Sequence, residues 1–362
     1  MPPFAARAMG LVEHLTPGCF AFVMATGIVA IASHVHDVPV AAAALGAINW
    51  AGYLLLLALT LTRLLVYRHT MTRDFADHLR GPGFFTTIAG TSVLGAQTLL
   101  IEKSEPIAVG LWGLTVALWL AIMYGFLVAI AVTSRKPSIE RGINGGWLIM
   151  VVATQSVAVL GGALGLQLAD QNILQFLCLI MFLVGGLLYI MIITLIFYRI
   201  DFFAVDPEDF GPLYWIDMGG AAISVLAGST LLLRTGEWPL LQAYQPFLRG
   251  ATLFFWSAAS FWIPFLIGMT VWRYAIRRDR FRYQAGLWGM VFPLGMYSVA
   301  TYNLARAEDL PFLRPLSLAF MYIALAAWLL VFVMLAATAV PQRKPPLAVG
   351  LPAVKPDSLE GP

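Results

Sequence analysis

Charge is scarce in this chain. Only 11% of its 362 residues are Asp, Glu, Lys or Arg, where a soluble domain carries about a quarter. With 60% hydrophobic residues and a mean hydropathy of +0.82, it cannot cover its surface with groups that water solvates. Soluble enzymes, nucleic-acid binders and disordered scaffolds are thereby excluded. Cysteine is nearly absent: Cys19 and Cys178 both sit in apolar runs, which supports neither a disulfide framework nor a thiolate metal site. Of five histidines, only His34 and His36, beside Asp37, lie close together, too few ligands for a metal. Walker loops and dinucleotide fingerprints are missing. No cofactor, metal or enzymatic activity is expected.

What the chain has in plenty is long apolar runs. A helix needs about 20 apolar residues to cross a bilayer, and ten runs qualify: 17–35, 41–62, 84–101, 107–132, 147–166, 173–197, 213–233, 247–271, 286–305 and 315–339. Residues 1–16 contain Arg7, Glu13 and His14 and no separate apolar core, so the first run is expected to be a span and not a cleaved signal. The ten-helix domain covers 17–340, and the proline-rich tail 341–362 reads as disordered. Positive charge orients the spans. Seventeen of the 22 Lys and Arg fall in the N-terminal segment, the loops after even-numbered spans and the tail; Lys103, Arg234, Arg249, Arg306 and Arg314 fall opposite. Both termini are therefore expected in the cytoplasm, in a multi-pass protein of the cytoplasmic (inner) membrane.

The odd spans open alike, on a Gly- or Pro-bearing turn and an aromatic: Pro17-Gly18-Cys19-Phe20, Gly83-Phe84-Phe85, Gly145-Gly146-Trp147, Gly211-Pro212-Leu213-Tyr214-Trp215 and Gly286-Leu287-Trp288. The last aromatics lie 65, 62, 68 and 73 residues apart, two spans per period. That predicts an all-α membrane protein of five tandem hairpins inserted the same way round, with quasi-five-fold symmetry. Odd spans are also richer in small and polar residues, which favour helix interfaces in lipid. They are expected to form an inner ring, either around a central pore or packed with none.

Four residues beyond the aligned aromatic stand Met24, Ala89, Val151, Gly219 and Phe292. Only the fifth is aromatic, and Pro293, which kinks a helix, follows it. Trp288, Phe292, Gly295, Val299 and Asn303 share one helical stripe. Phe292 reads either as a hydrophobic plug or as an ordinary packing ring. Candidate lining residues are Met24, Gly27, Ala89, Val151, Gly219, Gly295 and Val299; candidate polar groups on the path are Thr26, Thr91, Gln155, Asp217 and Asn303. Asp217, early in span 7, is either an acid favoured by the helix dipole or a proton-titrating group. No Lys or Arg lies mid-span, so hydroxyl and amide donors imply weak, permissive anion binding.

Thr16-Pro17-Gly18 running to Met24-Ala25-Thr26-Gly27, Asn144-Gly145-Gly146-Trp147 to Ala153-Thr154-Gln155-Ser156, Tyr214-Trp215-Ile216-Asp217-Met218-Gly219, and Phe292-Pro293-Leu294-Gly295 with Ala300-Thr301 resemble the tellurite-resistance/dicarboxylate transporter family, over residues 16 to about 340. That family includes malate permeases, sulfite exporters and the plant slow anion channel. The resemblance implies a pore lined by the odd helices and occluded by Phe292, commonly in a homotrimer with one pore per subunit. It also implies small anions as cargo, C4-dicarboxylates such as malate or inorganic anions, and makes Asp217 a departure from an expected neutral amide. A proton-coupled dicarboxylate symporter using Asp217 is the alternative within transport; a membrane sensor or enzyme is the alternative outside it.

Overall fold

Glycine and proline at the start of each odd span, against leucine-rich even spans, divide the chain into two kinds of helix. The computed structural model describes residues 9–165 and 171–339; the tail from 341 and most of the N-terminal segment lie outside them. The long helices are α1 (Pro17–Val35), α2 (Pro39–Val66), α3 (Gly81–Glu102), α4 (Glu105–Val132), α5 (Gly145–Leu164), α6 (Asn172–Phe202), α7 (Pro212–Leu232), α8 (Gln245–Ile276), α9 (Trp288–Ala307) and α10 (Pro311–Thr338). Among the described residues nine are long and apolar enough to cross a membrane. The exception is α9, a continuous 20-residue helix whose Pro293, Tyr297, Tyr302, Asn303 and Arg306 lower its hydropathy. Its neighbours explain the tolerance: a helix enclosed by protein does not need the apolarity that lipid demands.

The odd helices close a ring. α1 packs on α3, α3 on α5, α5 on α7, α7 on α9, and α9 returns to α1. Each even helix lies outside, against its own inner partner and against the inner helix of the next hairpin; α10 completes the circle on α1. Burial separates the two layers. Between 72 and 100% of the span residues are buried in α1, α3, α5 and α7, against 22–44% in the even helices. The inner helices need small residues because backbones approach closely, and the outer ones show apolar side chains to lipid.

Every inner helix begins with a 3₁₀ turn: Pro17–Phe20, Gly81–Phe84, Gly145–Leu148, Pro212–Trp215 and Ala285–Leu287. These turns also touch one another in a closed five-membered ring at what we term the lower end of the molecule. Proline suits such a start, its missing N–H being one that no helix uses. Glycine permits the approach: a Cβ on Gly145 would lie 2.6 Å from the Tyr214 Cα, and one on Gly83 2.7 Å from the Gly18 nitrogen.

Three hairpins are clipped at this lower end by the same device. An arginine at the end of the outer helix, buried at positions 63 and 199 and partly buried at 273, pairs with an aspartate in the next linker and donates to a carbonyl just before its own inner helix. Arg63 joins Asp74 (2.6 Å) and Glu13 O, Arg199 joins Asp209 (3.2 Å) and Glu140 O, and Arg273 joins Asp279 (2.6 Å) and Phe210 O. The Arg273 guanidinium holds the Asp279 carboxyl below its ordinary pKa, as a hydrogen-bonded cation does.

Candidate functional site

Two cavities lie along the ring, each lined by all five inner helices. The upper one, about 370 Å³, takes Ile28 and Ile31 from α1, Ser92 and Ala96 from α3, Ser156 and Val159 from α5, Ile223 and Thr230 from α7, and Met296, Val299 and Asn303 from α9. The lower one, about 160 Å³, takes Ala21 and Met24, Thr86, Ile149, Ile216, and Gly289 and Phe292 from the same helices. On each helix the lining residues recur every three or four positions, the spacing of one helical face. The deepest lower residues (Met24, Thr86, Ile149, Ile216, Phe292) and the deepest upper ones (Ile28, Ser92, Ser156, Ile223, Met296) are four to seven residues apart. At 1.5 Å per residue, about 6–10 Å of protein separates the cavities.

Helical spacing continues the lining face through that partition at Ala89 and Val152. These are small or slender side chains. Phe292 stands at the top of the lower cavity and is 1% exposed, with Pro293 directly behind it inside α9.

The upper cavity carries few groups able to grip an anion. Ser92 Oγ donates to Ser156 O, Ser156 Oγ to Val152 O and Thr230 Oγ1 to Leu226 O, so these hydroxyls present lone pairs to the axis. Its N–H donors come from Asn303 and from two arginines near the upper end, Arg234 and Arg306. Arg234 is anchored on Ala163 O and Glu237; the Arg306 guanidinium carbon lies 5.9 Å from the Tyr302 ring centre. In the lower cavity Arg80 pairs with Asp74 at 2.7 Å, and Asp74 is shared with Arg63, leaving one positive charge in the cluster. Five inner-helix N-termini converge here, each with its partial positive charge. Among the described residues no three His, Cys, Asp or Glu gather as metal ligands would.

The expected site residues divide. Met24 and Phe292 line the lower cavity, Val299 and Asn303 the upper, and Ala89 lies between them on the same face. Val151 is turned one residue off the lining face, which passes through Val152 instead. Gly27 faces Asn49 and Val93, Gly219 faces Pro293, and Gly295 faces Ile28 and Val29; all three are contact points between helices. Thr26, Thr91 and Gln155 point away from the axis. Thr26 accepts from Trp328 Nε1 of α10 (3.0 Å), Thr91 bonds Tyr53 OH of α2 (3.1 Å), and Gln155 Nε2 donates to Phe182 O of α6 and to Ser224 Oγ. They are off the path because inner helices use polar groups to hold their neighbours. Asp217 is fully buried one residue past Ile216; Tyr189 OH donates to its backbone oxygen, and both carboxyl oxygens lack a hydrogen-bond partner.

Thr26 and Thr91 belong to a pattern that sequence reasoning missed. An aromatic of each outer helix bonds the inner helix of the following hairpin: Tyr53 to Thr91, Trp119 to Thr154, Tyr189 to Asp217 O, Trp256 to Thr301 and Trp328 to Thr26, at 2.9–3.1 Å. The Thr91 and Thr154 hydroxyl protons already go to Thr87 O and Met150 O, so the aromatic is the donor there. The signal was available: these five aromatics stand 66, 70, 67 and 72 residues apart, the period of the hairpins.

A family model described as "SLAC1: Voltage-dependent anion channel" matches residues 14–336. The chain is similar to an uncharacterised membrane protein of Mycobacterium tuberculosis (strain ATCC 25618 / H37Rv), 35% identical over 146 residues, covering 40% of this chain and 74% of that protein. It is 24% identical over 353 residues to a sulfite efflux pump of Arthroderma benhamiae, covering 89% and 90% of the two chains. An uncharacterised transporter of Methanocaldococcus jannaschii is 24% identical over 306 residues, covering 81% and 84%.

Proposed function

The chain belongs to the voltage-dependent anion channel (SLAC1) family, and from that premise we propose that it passes small anions along the axis of its five-helix ring, with Phe292 as the closure. The observation that carries this reading is the pair of cavities, each walled by all five inner helices, on either side of a partition flanked by Phe292. A benzyl group among small side chains excludes water, and an ion cannot cross a dewetted constriction. Arg234 and Arg306 above, with Arg80 and five helix N-termini below, favour anions over cations at both approaches. Weak coordination between them suits passage, since a site that binds tightly releases slowly.

The cargo class is small carboxylates and inorganic anions; sulfite enters because sulfite efflux pumps are among the relatives. The lower end, with Arg63, Arg80, Arg199 and Arg273, is the cytoplasmic side by the positive-inside rule. The assembly is proposed as ten crossings per subunit in a homotrimer of the cytoplasmic membrane, without an enzymatic step. The test is efflux of chloride, nitrate, sulfite and malate from proteoliposomes. Phe292→Ala is expected to raise the rate about tenfold or more, the effect of removing about 1.4 kcal/mol of barrier. A folded variant at the wild-type rate removes Phe292 from the gate. Proton coupling through Asp217 is the second reading, favoured by its two unbonded, buried carboxyl oxygens. It requires Asp217→Asn to abolish pH-driven uptake while sparing passive exchange.

A further inference from the structure

We infer that Gly219 on α7 is a positioning residue for the gate: it is the seat against which Pro293 rests, and this contact holds Phe292 across the axis. The inference rests on the proposed reading of Phe292 as the closure. Proline cannot donate to the carbonyl one turn back and leaves its helix free to bend there, so the direction of Phe292 depends on what fixes Pro293. A Cβ built on Gly219 would lie 2.7 Å from Pro293 Cγ, 3.1 Å from its Cβ and 3.5 Å from its Cα. The pyrrolidine ring is rigid and joined to the backbone, so it cannot swing aside as the end of a long side chain would. Gly220, one residue on, offers no such seat: its Cβ would meet Tyr189 and Leu148 at ordinary separations of 3.4 Å and more.

The neighbouring contacts direct the strain. Below Pro293, α9 is held on α7, where Gly289 lies against Leu213 and Ile216; above it, α9 is held on α1, where Gly295 lies against Ile28 and Val29. α7 is buried along its whole span and enclosed by α5, α6, α8 and α9, so it has little freedom to retreat. A methyl group on Gly219 therefore pushes on Pro293, the residue bonded to Phe292, and the ring leaves the partition. In this account the small residue of repeat four and the proline of repeat five act as one unit. The partition is then set by helix packing as well as by the bulk of the ring.

The experiment compares efflux of chloride, nitrate and sulfite from proteoliposomes holding wild type, Phe292→Ala, Gly219→Ala, Gly220→Ala or the Gly219→Ala/Phe292→Ala pair, with monodispersity and melting checked for each. Gly219→Ala is expected to raise efflux about tenfold, the shift given by the lower part of the overpacking range. Gly220→Ala is expected at the wild-type rate, and the double variant no faster than Phe292→Ala. That non-additivity marks a shared gate; a merely structural lesion would not produce it. Gly219→Ala at the wild-type rate beside a raised Phe292→Ala, or effects that multiply in the double variant, would overturn the inference and leave the gate standing. Phe292→Ala at the wild-type rate refutes the gate and the inference together. Should Gly219→Ala fail to fold, Pro293→Ala removes the seated ring atom from the other side: raised efflux supports the seat, and an unchanged rate overturns it.

Discussion

The inner helices have two faces of different chemistry. Toward the axis they show Ile28, Ala89, Val152 and Val299, with serine and threonine protons taken up by backbone carbonyls. Toward the outer helices they show Thr26, Thr91, Thr154 and Thr301, each bonded to an aromatic of the hairpin before it. The hydrogen-bonding capacity of these helices thus goes into holding the ring together. The axis is left with little that could trap an ion. A channel wall and a helix interface place opposite demands on a polar group, and this fold separates them onto opposite sides of one helix.

That separation can be broken experimentally. The largest effect is expected from the axis, where Phe292→Ala raises anion efflux about tenfold or more. Next comes a swap across the helix: Val152→Asp, which puts an acid on the lining face, is expected to cut anion efflux in the Phe292→Ala background by about tenfold through like-charge repulsion. Val151→Asp, one residue around, is expected to lower stability and yield instead, because it buries an unpaired carboxyl among helices. On the outer-facing side Thr26→Val leaves the Trp328 N–H without its acceptor. It is expected to lower the melting temperature in detergent by an amount equivalent to about 1 kcal/mol, with the ratio of chloride to nitrate flux unchanged. The smallest effect is reserved for the upper end: Arg306→Gln is expected to slow efflux about twofold at low ionic strength, with the difference fading as salt screens an exposed charge.

The same two faces explain how much the sequence could tell. The five-hairpin plan was legible because each odd span opens on glycine or proline and an aromatic, at a period near 65–70 residues, and those residues are required wherever five backbones meet in one ring. Phe292 stood out in the sequence as the one aromatic among the aligned positions, and it lines the lower cavity. The direction of single polar residues was not legible. Thr26, Thr91 and Gln155 sit in inner spans as path residues would, and only their partners, Trp328 and Tyr53 for the threonines and the Phe182 carbonyl for Gln155, reveal that they face outward. A one-residue difference around a helix, about 100°, separates Val151 from Val152 and Asp217 from Ile216; hydropathy cannot supply that angle when both sides of the helix are enclosed. The run 286–305 reads as a span all the same, and the tyrosines, asparagine and proline that lower the hydropathy of α9 are tolerated there because protein surrounds it.

Cysteine accessibility tests the axis most directly. In a protein with Cys19→Ser and Cys178→Ala, single cysteines at Val299, Val152, Thr26 and Thr91 would be treated with a small charged thiol reagent in the Phe292→Ala background while efflux is followed. Reaction at positions 299 and 152 that blocks efflux, with positions 26 and 91 unreactive, is the result this account requires. Block through positions 26 or 91, with 299 and 152 silent, would mean that anions take a route between the helices and not down the middle of the ring.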